Sequence, residues 1–155
     1  MGSAPGIKVD TGAKTLAGST DEKITEGLDG LRERLKEYYK LGAKFTKWRG
    51  VYNISKTKPS KLSIHANAHA LARYSALVQE CNMVPIVEPE VLMDGELSAN
   101  DCYVYTSDVF LKCFLASAST CDESLLRLSN IVRRTPLMPS SGFKLIFILS
   151  IVFTS

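Results

Sequence analysis

The sequence contains no Cys-x-x-Cys pair, no long apolar run and no block of basic residues. Its four cysteines lack the spacing of a zinc site, and in a chain of 155 residues they are more typical of reduced, buried thiols than of a disulfide framework. The first residues lack the charged and apolar regions of a signal peptide. These absences argue against a secreted or zinc-stabilised protein, and they favour a cytoplasmic location.

The two signs of charge are nearly balanced, with 19 Lys and Arg residues against 16 Asp and Glu residues. No basic patch emerges, so charge does not predict a nucleic-acid partner. The most apolar segment, residues 145–153, is shorter than the roughly 20 residues that a membrane-spanning helix needs. We therefore expect neither nucleic acid nor a membrane as a partner, and we expect residues 145–153 to form a buried strand or an aggregation-prone end.

Three short β-prone segments alternate with three helical patterns. This alternation predicts an α/β protein made of β/α units with a parallel sheet. The polar stretch 18–23 is expected to be a loop, and the regular pattern is lost after residue 118. We therefore expect one unit over residues 1–118 and a divergent tail over 119–155. The predicted strands are 6–10, 43–51 and 84–90; the predicted helices run from Thr25 as N-cap to Gly42, from Ser60 to Glu80 and from Ala99 to Ala118.

Charged residues occupy the ends of all three predicted strands. Parallel β/α folds place their active sites at the carboxyl ends of the strands. A lysine beside carboxylates can move a proton, and arginine suits phosphate. Two interpretations stay open at this point: an ion-pair cluster at the rim of the sheet, or a catalytic cluster. The residues concerned are Lys8 and Asp10, Lys47 and Arg49, and Glu88 and Glu90.

Several blocks of sequence, in order and at matching spacing, resemble class I fructose-1,6-bisphosphate aldolase. They include Gly-Ile-Lys-Val-Asp, Gly-Leu-Asp-Gly-Leu, Lys-Trp-Arg and Val-Glu-Pro-Glu. The resemblance covers about residues 5–116. It implies a (β/α)₈ TIM barrel, of which this chain would contain about three to four consecutive β/α units. The blocks are 5–10, 16–18, 26–31, 45–49, 66–68 with 71–74, and 84–90 followed by 94–95.

The resemblance also implies a reaction. The family reversibly cleaves fructose 1,6-bisphosphate, a sugar-phosphate substrate, through a lysine imine and without a metal or other cofactor. Lys47 would help to dehydrate the carbinolamine, Glu88 would be the general acid and base of that step, and Glu90 would pair with Lys47. Lys8 and Arg49 would lie toward the sugar-phosphate end of the site.

The chain departs from the family pattern at the imine-forming lysine. The family motif Leu-Lys-Pro-Asn-Met is expected near residue 130, but matching Asn130 to its asparagine puts Leu128 in the lysine position. The family's first two strands would precede Met1. Three hypotheses follow: an aldolase sequence in truncated form, a non-catalytic remnant that binds sugar phosphates or partner subunits, and an interaction protein that works through its C-terminal segment. Association into a homo-oligomer is a further expectation.

Two weaker signals have ordinary interpretations. His65 and His69 are four residues apart on a predicted helix, which suits either a metal pair or a helix surface, and no third ligand is near in sequence. Trp48 alternates away from Lys47, which favours core packing over ligand stacking.

Overall fold

The computed structural model describes residues 4–92, 97–120 and 149–150. The predicted alternation of strands and helices is confirmed in this part of the chain. A β-hairpin, which we had not predicted, follows the first strand. The elements in chain order are β1 (Gly6–Lys8), β2 (Gly12–Thr15), β3 (Lys23–Glu26), α1 (Leu31–Lys40), β4 (Phe45–Asn53), α2 (Lys61–Glu80), β5 (Val84–Leu92), α3 (Ala99–Thr120) and β6 (Leu149–Ser150).

The main sheet has the strand order β1-β4-β5-β6. Strands β1, β4 and β5 are parallel, as β/α units require, while β6 pairs antiparallel with residues 86 and 87 of β5. Strand β6 lies within the apolar segment 145–153. The rest of that segment, and most of the predicted tail, fall outside the described residues, so the division at residue 118 stays a prediction.

Strand β5 contains two prolines in its interior and extends two residues beyond the predicted end at residue 90. Val84 N donates to Lys44 O at 3.0 Å, toward β4. Because N–H groups alternate in direction along a strand, the nitrogens of Pro85 and Pro89 face the opposite side. A proline there removes no hydrogen bond to β4, which explains how the β4–β5 ladder continues to Leu92.

The core lies between the sheet and helix α2, which packs on β4 and β5 and also contacts α1 and α3. Trp48 and Tyr52 of β4 are buried, as are Val87 and Val91 of β5, so the even positions of β4 and the odd positions of β5 face the helices. The Trp48 ring packs on that of Tyr74, with 5.3 Å between centroids. The predicted core position of Trp48 is therefore confirmed.

Several predicted helix positions differ from the structure. Two apolar residues of the helices, Leu62 of α2 and Val104 of α3, are about half exposed. His65 and His69 are exposed on α2, which agrees with the interpretation that they belong to the helix surface. Thr25 is not the N-cap of α1, because it belongs to β3; Gly30 occupies the cap position, in the left-handed region at φ 61°. Gly42 lies just past α1 with φ 98°, as predicted.

The start of helix α2 is joined to the hairpin by hydrogen bonds among Ser19, Glu22 and Ser60, which we call the polar clamp. The Ser60 hydroxyl caps the helix by accepting from Ser63 N at 3.1 Å. The buried Glu22 carboxylate, in the β2–β3 loop, accepts from Ser60 N at 2.7 Å and from Ser19 Oγ at 3.1 Å. Burial acts to raise the pKa of Glu22, but the hydrogen bonds from Ser60 and Ser19 outweigh it and lower the pKa below its ordinary 4.5.

This clamp predicts an acid-dependent loss of stability. Because the pKa of Glu22 is lower in the folded chain, its contribution is complete above about pH 4.5 and disappears as the pH falls through the folded value. The Glu22→Gln variant should be less stable than wild type at pH 7, and its unfolding free energy should fall less between pH 5 and 3. Urea unfolding across this range measures the effect. Equal pH slopes for the two proteins would contradict the prediction, and Glu33→Gln, at an exposed position, is the control.

Three cysteines in the described residues are free thiols: Cys81, Cys102 and Cys113. Cys121 lies outside that part of the chain. Cys113 is 1% exposed and its sulfur lies 3.5 Å from the hydroxyl of Tyr52. Burial raises the pKa of the Cys113 thiol to about 11, although the hydrogen bond with Tyr52 acts the other way. Burial and the Cys113 thiol together raise the pKa of Tyr52.

Alkylation should therefore distinguish Cys113 from Cys102. At pH 8 only about 0.1% of a thiol with pKa 11 is thiolate, the reactive form, and the folded chain shields it. We expect iodoacetamide to label the partly exposed Cys102 in native protein and Cys113 only after unfolding in urea, as read by peptide mass spectrometry. Equal native rates for the two cysteines would refute this.

Candidate functional site

The five predicted site residues share one face of the parallel sheet. Side chains alternate along a strand, so residues two apart lie on the same side. The register aligns Lys8 of β1 with Lys47 of β4, and Arg49 with Glu88 of β5. Glu90 follows two residues after Glu88. These positions have the opposite parity to the residues that pack on α2, so the site lies on the face turned away from the helices.

Within the described residues, three ion pairs occupy this face, which we call the charged face. In each pair the carboxylate lies two positions further along than the basic side chain. It is either on the same strand segment or diagonally opposite on the neighbouring strand. The pairs are Lys8 with Asp10, Lys47 Nζ with Glu88 Oε2 at 2.9 Å, and Arg49 Nη1 with Glu90 Oε2 at 3.1 Å.

The two members of each pair differ sharply in exposure. The carboxylate side chains of Asp10, Glu88 and Glu90 are only 2%, 4% and 7% exposed. Their partners Lys8, Lys47 and Arg49 are 51%, 41% and 44% exposed. The negative charges thus lie beneath the positive ones, and the accessible surface of the charged face is basic. Such a surface favours an anionic ligand.

The pairing within the charged face differs from the one that we predicted. Glu90 was expected to orient Lys47, but it pairs with Arg49, and Lys47 pairs with Glu88. The register explains the difference. Glu88 is aligned with Arg49 and therefore lies diagonally from Lys47, while Glu90 is one diagonal step further along.

The contact between Lys47 and Glu88 is ionic. Glu88 Oε2 is buried, and the Lys47 ammonium lies 2.9 Å from it. Asp10 Oδ1 accepts from Gly12 N at 3.0 Å, whereas the buried Asp10 Oδ2 has no hydrogen-bond partner among the described residues.

The strand ends that carry the charged face are fixed by the hairpin and by α1. Thr25 of β3 donates its hydroxyl to Arg49 O at 2.6 Å. Arg34 of α1 donates to Val9 O at 3.0 Å and to Gly27 O. These hydrogen bonds hold the backbone beside the basic residues. The sequence did not indicate that the hairpin contributes to this.

Asp10 is the residue of this site to which the sequence assigned no role. Its spacing from Lys8 was a usable signal, because two residues apart on a strand means the same face. Within the described residues, no group of three or more His, Cys, Asp or Glu side chains has the geometry of a metal site. None of the helices in the described part of the chain is long and apolar enough to cross a bilayer.

A family profile matches residues 1–135 and is described as fructose-bisphosphate aldolase class-I, glycolytic. A probable fructose-bisphosphate aldolase class 1 of Xanthomonas campestris is 62% identical over 105 residues, which are 68% of this chain and 31% of the relative. The cytosolic fructose-bisphosphate aldolase 6 of Arabidopsis thaliana is 44% identical over 140 residues, covering 90% of this chain and 38% of the relative. The chain thus spans about a third of the length of these relatives.

A solved structure supports the fold. Fructose-bisphosphate aldolase of Plasmodium falciparum, solved in complex with TRAP and a small-molecule inhibitor, superposes with a TM-score of 0.73 at 50% sequence identity. The match covers 76% of this chain and 34% of that one. Together with the parallel strands β1, β4 and β5, it confirms the predicted fold class: consecutive β/α units of a TIM barrel.

Proposed function

The chain belongs to the class I fructose-bisphosphate aldolase family, and from that membership we propose that its charged face is the substrate-holding and proton-transfer part of an aldolase site. The substrate would be fructose 1,6-bisphosphate, cleaved reversibly to dihydroxyacetone phosphate and glyceraldehyde 3-phosphate. The observation that carries the proposal is the arrangement of three half-exposed basic side chains over three buried carboxylates.

Each residue has a role that its environment suits. Arg49 and Lys8 would bind phosphate and sugar oxygens, since both present accessible donors on the charged face. Glu88 would take up the proton released when the imine-forming lysine adds to the substrate ketone and return it to the carbinolamine hydroxyl, which leaves as water. Lys47, 2.9 Å from that carboxylate, would hold the substrate hydroxyls and balance the charge that remains after proton transfer. Glu90 would position Arg49, its partner in the structure.

The second candidate function is favoured by one residue. Leu128 stands where the resemblance puts the imine-forming lysine, and it lies outside the described residues. A leucine cannot form an imine, so a chain with this residue would bind sugar phosphates without cleaving them. In this role the chain would bind sugar phosphates or associate with intact aldolase subunits. A cytoplasmic location is part of both proposals, and it follows the names of the Arabidopsis and spinach relatives.

Calorimetric titration with fructose 1,6-bisphosphate tests the binding role. We expect saturable binding that weakens with added salt, because half-exposed charges are screened. Arg49→Ala should weaken binding about tenfold or more, since a charge-assisted contact to phosphate contributes roughly 1.5–3 kcal/mol. Arg73→Ala, which removes an exposed arginine of α2 away from the charged face, is the matched control. Equal affinities for the two variants would refute the site.

Borohydride trapping separates the two candidate functions. Borohydride reduces an imine between a lysine and dihydroxyacetone phosphate to a stable amine, which peptide mass spectrometry locates. A covalent adduct together with bisphosphate cleavage would establish catalysis by this chain. Binding without adduct or cleavage would leave the sugar-phosphate-binding role and remove the catalytic one.

A further inference from the structure

Asp10 differs from the other carboxylates of the charged face because its partner is on its own strand segment. Lys8 and Asp10 are two residues apart, so they share the face, and the Lys8 ammonium donates to Asp10 Oδ1. The Asp10 side chain is 2% exposed and Lys8 is 51% exposed. A buried charge thus holds an accessible one.

The backbone around Asp10 is fixed from several sides. Val9 N donates to Lys47 O at 3.1 Å and Thr11 N donates to Glu26 O at 2.9 Å. Gly12 N donates to Asp10 Oδ1 at 3.0 Å. Gly27 packs so closely that a Cβ there would come within 2.9 Å of Thr11 N. The carboxylate therefore has a defined position, set by β4 and by the hairpin.

The alignment of β1 with β4 explains why Lys8 needs a carboxylate at the position of Asp10. Lys8 is aligned with Lys47, and like charges directly opposite each other repel. The structure separates the two ammonium groups, because Lys8 turns to Asp10 while Lys47 turns to Glu88. Without the Asp10 charge, nothing in the described contacts would keep Lys8 on the charged face beside a second lysine.

We propose that Asp10 is a positioning residue, which holds the Lys8 ammonium beside Lys47 so that the two lysines together receive the anionic substrate. The inference rests on the proposed function for its ligand. Its structural part, the control of Lys8 by Asp10, can be tested without any ligand. Asp10→Asn is the first variant, since its amide oxygen can still accept from Gly12 N.

Competitive acetylation of the full-length chain tests the control of Lys8. The Lys8 nitrogen must leave its hydrogen bond with Asp10 to react, so Asp10→Asn should acetylate Lys8 about two- to fivefold faster, the range expected for a partly exposed ion pair. Lys40, a surface lysine paired with Glu37, is the internal control and should not change. An unchanged Lys8 rate overturns the proposal. If Asp10→Asn does not fold, Asp10→Ser, smaller and uncharged, answers the same question.

Titration with fructose 1,6-bisphosphate tests whether Asp10 acts through Lys8. Asp10→Asn and Lys8→Met should each weaken binding about two- to fivefold, and the double variant should bind no more weakly than Lys8→Met alone. Fully additive losses would mean that Asp10 acts independently, which overturns the proposal. If wild type does not bind the bisphosphate, the proposed function fails, and the acetylation rates still decide whether Asp10 positions Lys8.

Discussion

The Trp48→Ala variant is expected to lose about 3–5 kcal/mol of unfolding free energy, the usual cost of removing a large aromatic side chain from a core. Trp48 is 0% exposed and its ring packs on that of Tyr74. Domains of this size are stable by roughly 5–15 kcal/mol, so the variant should unfold at much lower urea concentration. Circular dichroism should follow the unfolding, because Trp48 is the only tryptophan in the chain and the variant therefore has no tryptophan fluorescence.

Trp48→Phe provides a sharper control than alanine alone. The indole Nε1 of Trp48 is buried and has no hydrogen-bond partner in the part of the chain that the structure describes, so phenylalanine removes volume but breaks no hydrogen bond there. We expect it to cost about 1–2 kcal/mol, well below alanine. A Trp48→Phe loss as large as that of Trp48→Ala would show that the indole nitrogen has a role that the packing does not reveal.

The Lys47→Met variant is expected to lose about 1–3 kcal/mol, because it leaves the Glu88 carboxylate buried without its counter-charge. Breaking a buried ion pair costs about 3–5 kcal/mol, and the value here is reduced because water reaches the 41% exposed Lys47. Adding Glu88→Gln to Lys47→Met should recover part of the loss, since the uncompensated charge is then gone. Urea unfolding of both single variants and the double variant measures the coupling.

A surface pair of similar chemistry is the matched control for this cycle. Arg32 bridges Glu80 through two contacts, at 2.8 and 3.0 Å, with both side chains about half exposed. Removing Arg32 leaves Glu80 in water, so the loss should be much smaller than for Lys47→Met. If the two losses are equal, burial of the carboxylate is not what makes the site costly to disrupt.

Sequence patterns predicted the elements that bury an apolar side. Helix α2 was predicted within one residue at its start, because Ser60 is a strong N-cap and a helical pattern follows. Strand β4 was recognised from its alternation, which separates Lys47 and Arg49 from Trp48. The hairpin was missed because β2 and β3 are four residues each and mostly polar, and of their side chains only that of Thr25 is fully buried.

The members of the site could be predicted, but their pairing could not. Lys8, Lys47, Arg49, Glu88 and Glu90 were identified from charge at strand ends and from resemblance. The partner of each one depends on how neighbouring strands are aligned, and alternation within one strand carries no information about that offset. The role of Asp10 was missed for a related reason, since only the alignment of Lys8 with Lys47 shows why a buried carboxylate is needed there.

The two prolines of β5 also determine what this strand can offer on its far side. The backbone nitrogens of residues 85, 87, 89 and 91 point away from β4. Two of these four residues, Pro85 and Pro89, have no N–H. Only Val87 and Val91 can donate to a strand on that side. Strand β6, which pairs on this side at residues 86 and 87, therefore meets an interrupted row of donors, and the gaps at Pro85 and Pro89 make this side of β5 a poor template for indiscriminate strand addition.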